Sequence, residues 1–399
     1  MKVFRLLLRA VLVLLALLLS VALGAATFYG MAPFIDNMVL LAGAALLVAG
    51  FVGGLGTRWA TRHRVATRIA FVGWPLLMLV AIVVMFRAPG KQPIPVPPMP
   101  DMQYWALDTG SRIAYTRIPA LGSVRRTPIV FLHGGPGWLI LDSDFAFCSQ
   151  LSKLGFDVYL YDQVGSGRSS RLPDMRQYGT ARQVADLEAI RLKIAADKMV
   201  IIGQSWGNTL AVDYMAAHPG HVEKVIFCSP GAMWDVSRLR FDYSHSASVG
   251  EDPGFTPAIL AALLLTPRNP TIAKQIVSDP AMEAFMDAMP TSVKVENNYC
   301  AGDEARIPRE PIVGSNNYVN KVVFTSQKSY PDPRPALRGD PTPVLVLRGA
   351  CDFVPLAFAN EYLATFPQAR MVQIQNAGHA LYEAQPAQVS DAMASFLSN

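Results

Sequence analysis

Three uncharged apolar runs, residues 10–31, 38–56 and 69–86, constrain this chain more than anything else in its sequence. At about 1.5 Å of rise per residue each reaches roughly 27–33 Å, close to the thickness of a bilayer's hydrocarbon core. A backbone in lipid must satisfy its own hydrogen bonds, so each run is expected to be a transmembrane helix. Core helices of a soluble protein are the plain alternative. For the first run, Lys2, Arg5 and Arg9 followed by apolar residues and Ala22-Leu23-Gly24-Ala25-Ala26 also has the layout of a cleavable signal peptide. The cations that flank the runs, and the length of the first, favour three spans.

Charge separates this region from the rest. Residues 1–91 hold nine Lys/Arg and one acid, Asp36, a net +8; the whole chain is +5, which leaves −3 for residues 92–399. The basic balance therefore belongs to the apolar region, and net charge gives no reason to expect a nucleic-acid partner. At 51% hydrophobic and 16% charged, the chain has too much to bury for a disordered protein. Four cysteines in 399 residues exclude a disulfide scaffold.

The short loops give an orientation. Lys2, Arg5 and Arg9 precede the first run, Asp36 is the one charge between the first and second, and Arg58, Arg62, Arg64 and Arg68 lie between the second and third. The positive-inside rule puts those seven cations in the cytoplasm and everything after Phe86 outside, against only Arg87 and Lys91 on the outer flank. The expected membrane domain is residues 1–88, in the cell membrane, with the bilayer as its partner. Residues 89–102 follow as a spacer, with six prolines between positions 89 and 100. Such a segment forms neither helix nor sheet ladder and stays extended.

From residue 103 the pattern is α/β. A hairpin is expected over 104–115. Short apolar strands follow at 128–132, 158–161, 199–202, 222–228, 344–347 and 371–374. Helices are expected between them, over 180–196 and 208–217, and another, over 386–397, closes the chain, which implies a mostly parallel sheet covered on both faces. The core is assigned to 103–230 and 336–399. Residues 231–335 break the alternation, with helical stretches at 257–265, 271–277 and 281–289, and read as a cap over the C-terminal sheet edge.

Gly203-Gln204-Ser205-Trp206-Gly207 lies between a strand and a helix, the context a G-x-S-x-G nucleophile turn requires. Side chains at either glycine would collide with the neighbouring strand or helix. A serine needs a base, and six histidines allow elimination. His63 is in the membrane domain, and His133 shapes a glycine loop. His218 and His221 lie a helix length past Ser205, and His245 is in the cap. His379 follows the last strand, at the edge where Ser205 lies. Asp352, after strand 344–347, is the expected orienting acid. Trp206 N–H, with Gly134 or Gly135 N–H from His133-Gly134-Gly135-Pro136-Gly137, would stabilise an oxyanion. The chain order Ser205, Asp352, His379 is that of α/β-hydrolases.

These motifs, with Asp162-Gln163-Val164-Gly165-Ser166-Gly167-Arg168-Ser169 and Gly378-His379, resemble the proline iminopeptidase branch of the α/β-hydrolases over about residues 103–399. The resemblance implies an α/β-hydrolase fold with a helical cap. It also implies a serine hydrolase that removes N-terminal proline, or a small residue, from short peptides. Family members grip the substrate amine with acids, mainly in the cap. Here Val164 stands where the family commonly has Asp-x-Arg-Gly, and Ser229-Pro230-Gly231 replaces the usual Arg-Gly at the cap's start. Asp235 and Glu296 are the candidate substrate-binding acids, with Glu283, Asp303 and Glu304 behind them. Esterase activity, or ligand binding without catalysis, are the alternatives.

No cofactor is expected. The sequence has no G-x-x-x-x-G-K-[ST] loop, and Gly165–Ser170 lacks the third glycine of a dinucleotide fingerprint. No H-E-x-x-H or paired C-x-x-C occurs, so no metal is expected either. Outside the cytoplasm Cys148, Cys228, Cys300 and Cys351 could pair, Cys228 and Cys351 each following a core strand; buried free thiols are the default expectation.

Overall fold

The protein is described by a computed structural model over residues 2–87, 92–125, 127–234, 255–289, 291, 295, 298–307 and 311–398. It divides into two compact units, one of residues 1–90 with 255–281, the other of 91–254 with 282–399.

The first unit contains three helices long and apolar enough to cross a membrane. Helix α1 is Lys2–Met31 and α2 is Met38–Thr61. The third is α3 (Arg64–Arg68) continued by a π turn over Ile69–Gly73 into α4 (Trp74–Met85). All three extend beyond the uncharged runs, because Arg is a good helix former. Asn37 caps α2, its side chain accepting from the Val39 and Leu40 N–H groups. Glycine allows the helices to approach. A Cβ on Gly56 would lie 2.4 Å from that of Ala16, and one on Gly54 would lie 2.4 Å from the Phe71 ring. In a membrane, where no hydrophobic effect acts between helices, such small-residue packing and polar contacts would hold spans together. Trp74 Nε1 donates to the buried Ser20 Oγ at 3.0 Å, linking first and third.

The second unit is built on an eight-stranded sheet in the order β1-β2-β4-β3-β5-β6-β7-β8. The strands are β1 (Gln103–Ala106), β2 (Arg112–Ile118), β3 (Ile129–Leu132), β4 (Val158–Tyr161), β5 (Met199–Gln204), β6 (Val222–Cys228), β7 (Val344–Gly349) and β8 (Ala369–Ile374). The β1–β2 and β2–β4 pairs are antiparallel; β3 to β8 run parallel to one another. The central strands β3 and β5 are buried on both faces and so read as unbroken apolar runs. Ile129 and Phe131 face one layer with Phe147, Leu151, Met393 and Phe396, while Val130 and Leu132, also fully buried, face the other.

Helices α5 (Asp142–Ser152), α6 (Thr180–Lys193) and α7 (Trp206–Ala217) flank the early strands. Within 231–335 the described helices are α8 (Pro257–Leu265), α9 (Pro270–Ile276), α10 (Asp279–Ala288), α11 (Asn317–Gln327) and the short α12 (Arg334–Leu337), together with a 3-10 turn over Glu304–Arg306. The fold closes with α13 (Leu356–Thr365), the single turn α14 (Leu381–Ala384) and α15 (Pro386–Ser398).

The cysteines correct the expectation of four free thiols. Cys300 and Cys351 form a disulfide with Cα atoms 5.6 Å apart. Cys148 and Cys228 are free and buried. Cys351 is on the turn after β7, where Cys300, 51 residues back, packs against it; sequence spacing alone gave no sign of that contact.

Candidate active site

Strand β5 delivers Ser205 into a turn so tight that its backbone takes φ 53°, ψ −117°. This left-handed region is costly for a residue with a Cβ, and it recurs where a side chain must be aimed. The turn exists because its neighbours are glycine. A Cβ on Gly203 would meet Asn208 Oδ1 at 2.6 Å and Asn208 N at 2.8 Å on α7. One on Gly207 would lie 2.2 Å from the Leu132 carbonyl of β3. Trp206 is the first residue of α7. Amides in a helix's first turn have no intrahelical acceptor, so the Trp206 N–H is available beside Ser205.

His379 and Asp352 arrive from the far end of the sheet. His379 Nδ1 and Asp352 Oδ1 are 3.0 Å apart, and both residues are buried. The same carboxylate oxygen accepts from Val354 N–H at 2.9 Å. Burial acts to raise the Asp352 pKa, but His379 and the Val354 N–H outweigh it and hold the carboxyl below its ordinary value. The Phe353 ring lies 4.7 Å from the imidazole, centroid to centroid.

The loop carrying His379 is fixed on several sides. Ala380 N–H donates to the Asn298 carbonyl at 3.0 Å, and Cys351 N–H to the Ala377 carbonyl at 3.1 Å. A Cβ on Gly378 would lie 2.5 Å from the Asn298 carbonyl. The Cys300–Cys351 bond thus ties the Asp352 turn to the segment on which the His379 loop rests.

Ser205 and His379 line one cavity of about 340 Å³ together with Gly134, Gly135 and Trp206. No hydrogen bond closes between Ser205 Oγ and the imidazole among the described contacts; in ligand-free enzymes such contacts are often loose. Gly134 approaches the serine so nearly that a Cβ there would be 3.0 Å from that of Ser205. Gly135, at φ 120°, is held in a conformation that disfavours other residues.

His133 shapes the loop, as the elimination expected. Its Nδ1 is 2.8 Å from the Gly134 carbonyl, and its Nε2 accepts from Gln163 N–H at 3.0 Å. Burial holds its pKa down, which suits a neutral acceptor. His218 stacks on Tyr214 at the end of α7, and His221 lies 3.9 Å from Glu188. His245, Asp235 and Glu296 lie outside the described residues. Glu283 pairs with Arg171 at 2.7 Å. Asp303 pairs with Arg306 at 3.5 Å. The Asp162–Ser169 loop is structural. Asp162, fully buried, accepts from Ile140 N–H and Arg168 N–H at 2.7 and 2.8 Å and is paired with the Arg168 guanidinium.

Three lining residues were missed in the sequence. Asp144, on α5, accepts from Leu141 N–H at 2.8 Å and from the Tyr382 hydroxyl. Burial pushes its pKa up to about 7. Glu383 accepts from Ser143 Oγ at 2.7 Å and from Tyr299 OH at 2.5 Å. Asn316 caps α11 and also braces the glycine loop: its N–H donates to the Gly137 carbonyl at 2.7 Å and its Nδ2 to the Gly165 carbonyl at 2.9 Å. An acid four residues after the candidate base, and an Asn ahead of a helix, were the available signals.

The sheet order and the position of Ser205 decide the family, and comparison agrees. The α/β-hydrolase fold family matches residues 127–386. The chain belongs to the α/β-hydrolase fold family. It is 36% identical over 159 residues to a proline iminopeptidase of Heyndrickxia coagulans, covering 37% of this chain and 53% of that one. It is 40% identical over 108 residues to a proline iminopeptidase of Lactobacillus helveticus, covering 26% and 36%. The chain thus spans about half or less of the length of these relatives. Among solved structures, the enol-lactonase of Burkholderia xenovorans LB400 superposes with a TM-score of 0.54 at 19% identity, over 74% of this chain and all of that one. The proline iminopeptidase of Mycobacterium smegmatis does so at 0.50 and 18%, over 74% and 97%. At such identities these two speak for the fold alone.

Proposed function

We propose that this α/β hydrolase is a membrane-anchored serine aminopeptidase that removes an N-terminal proline or small residue from short peptides. The observation that carries the reading is the charge of the cavity. Glu383 lines it with Ser205 and His379, and no Lys or Arg is among its described lining residues. An electronegative cavity of this kind favours a substrate with a cationic amine near the scissile bond. The partial matches to proline iminopeptidases point the same way.

In this mechanism His379 takes the Ser205 proton as Oγ attacks the carbonyl, and Asp352 orients the imidazole and stabilises its cation. The Trp206 N–H and an N–H of Gly134 or Gly135 receive the oxyanion. The imidazolium then protonates the departing amine, and water, activated by the same histidine, clears the acyl-enzyme. The amine end of the substrate is assigned to Glu383, in place of the cap acids Asp235 and Glu296.

The location outside the cytoplasm rests on the cation asymmetry of the loops, and the Cys300–Cys351 bond supports an oxidising compartment. The deciding experiment compares prolyl-arylamide with short acyl-ester turnover by the full-length protein in detergent. Glu383→Gln should raise KM for the arylamide about tenfold, the weight of one charge-assisted contact, and leave the ester's KM unchanged. Fast ester turnover without arylamide turnover would replace aminopeptidase by esterase.

A further inference from the structure

Helix α8 has the sequence Pro-Ala-Ile-Leu-Ala-Ala-Leu-Leu-Leu, without one polar side chain. A helix apolar on every face is at home in a protein core or in lipid. Yet only one side of α8 is covered. Ala258, Ile259, Ala262 and Leu265 are buried, while Leu260 and Leu264 are 49% and 64% exposed, on one stripe four residues apart.

This helix belongs to the same compact unit as the three candidate spans. The segment that follows it is fastened to the turn between α1 and α2. Asn269 Nδ2 donates to the Ala32 carbonyl at 2.8 Å and to Asp36 Oδ1 at 2.9 Å. Gln275 donates to the Asp36 carbonyl at 2.8 Å, and its Oε1 accepts from Met38 N–H, the first residue of α2, at 3.1 Å. The Arg268 guanidinium lies over the Tyr29 ring, 4.1 Å from its centroid, in the last turn of α1. Every one of these contacts is at the end of a span, where a bilayer's headgroups would be. Leu264 is five residues from Asn269, so at most about 18 Å of chain separates it from that level.

We propose that α8 lies in the headgroup–acyl boundary of the bilayer that holds the spans, with Leu260 and Leu264 in the lipid. The proposal rests on the three helices being membrane spans. Nine residues of helix are only about 14 Å long, less than half the hydrocarbon thickness, so α8 lies along the surface and does not cross. An apolar face immersed to this depth is the arrangement of monotopic helices, and the Arg268–Tyr29 pair supplies the cation and aromatic ring that favour the interface.

The test is nitroxide accessibility in the full-length protein reconstituted in phosphatidylcholine–phosphatidylglycerol vesicles. Cys148 and Cys228 are fully buried and Cys300 is bonded to Cys351, so a label goes to an introduced cysteine. Labels at Leu260→Cys and Leu264→Cys are compared with Leu18→Cys, 57% exposed on α1, and Leu192→Cys, 61% exposed on α6. All four are exposed positions, so folding is retained. The proposal expects the ratio of oxygen to nickel-chelate collisions at 260 and 264 to exceed that at 192 by at least about threefold, approaching that at 18. Ratios at 260 and 264 equal to that at 192, with 18 in lipid, would overturn the interfacial helix alone. A water-like ratio at 18 as well would overturn the spans and, with them, the proposal.

Discussion

Ser205 adopts a conformation that its own side chain resists, at φ 53°. Two variants separate that strain from chemistry. Ser205→Ala and Ser205→Gly both remove the hydroxyl, and both should lower turnover by four to six orders of magnitude, roughly the loss seen when a triad nucleophile is deleted. In thermal unfolding the glycine variant should be the more stable by about 1 kcal/mol, because it alone relieves the left-handed backbone. Equal stabilities would mean that the turn is not strained. The two buried acids carry opposite pH signs. Asp144, raised to about 7 by burial, holds a proton in the folded state that the unfolded chain releases near pH 4. Its contribution is therefore full below about pH 4 and is lost as pH rises to about 7. Asp144→Asn should flatten the urea midpoint across that window, and an unchanged slope would assign it elsewhere. Asp352, held below its ordinary value, contributes above that value and loses its contribution as pH falls through its lowered pKa.

Among the elements, those with strong patterns were legible and those held by tertiary contacts were not. The apolar runs, the buried strands and the turn at Ser205 stood out because each has a periodicity or a glycine pair that little else explains. Helix α11 did not. Its sequence Asn-Tyr-Val-Asn-Lys-Val-Val-Phe-Thr-Ser-Gln is rich in β-branched residues, which have weak helix propensity. It is helical because Asn316 caps it and Val319, Val322 and Val323 are buried. Helix α5 was missed for a similar reason: polar and small residues interrupt its apolar face. The candidate triad was legible, since sheet order brings strand ends together. Asp144 and Glu383 were not, since nothing in local sequence says that α5 and α14 meet at one cavity. Asn316→Ala should cost about 1–2 kcal/mol as a lost cap and also lower kcat, because the Gly165 carbonyl loses its Nδ2 donor in the loop whose Gln163 N–H holds His133 beside the glycine turn. A loss of stability with kcat unchanged would confine Asn316 to capping.

At the scale of the whole chain, the disulfide and the order of the sheet do related work. Cys300 and Cys351 close a loop of 51 residues, for which chain entropy suggests a stabilisation of about 4 kcal/mol. Cys300→Ser with Cys351→Ser should lower the denaturation midpoint accordingly and lower kcat, since the Asp352 turn then loses its tie to the segment under His379. Undiminished kcat at a temperature where the variant is folded would make the bond purely structural. Everything proposed for function requires that residues 205, 352 and 379, distant in sequence, make one serine reactive. The most direct measurement is covalent labelling of the full-length protein by a fluorophosphonate, with the modified peptide identified by mass spectrometry. The account predicts one adduct, on Ser205, absent in Ser205→Ala and slowed about 10⁴-fold in Asp352→Asn by loss of the correct histidine tautomer. A folded wild-type protein that takes no label, or that is labelled equally in Ser205→Ala, would contradict it.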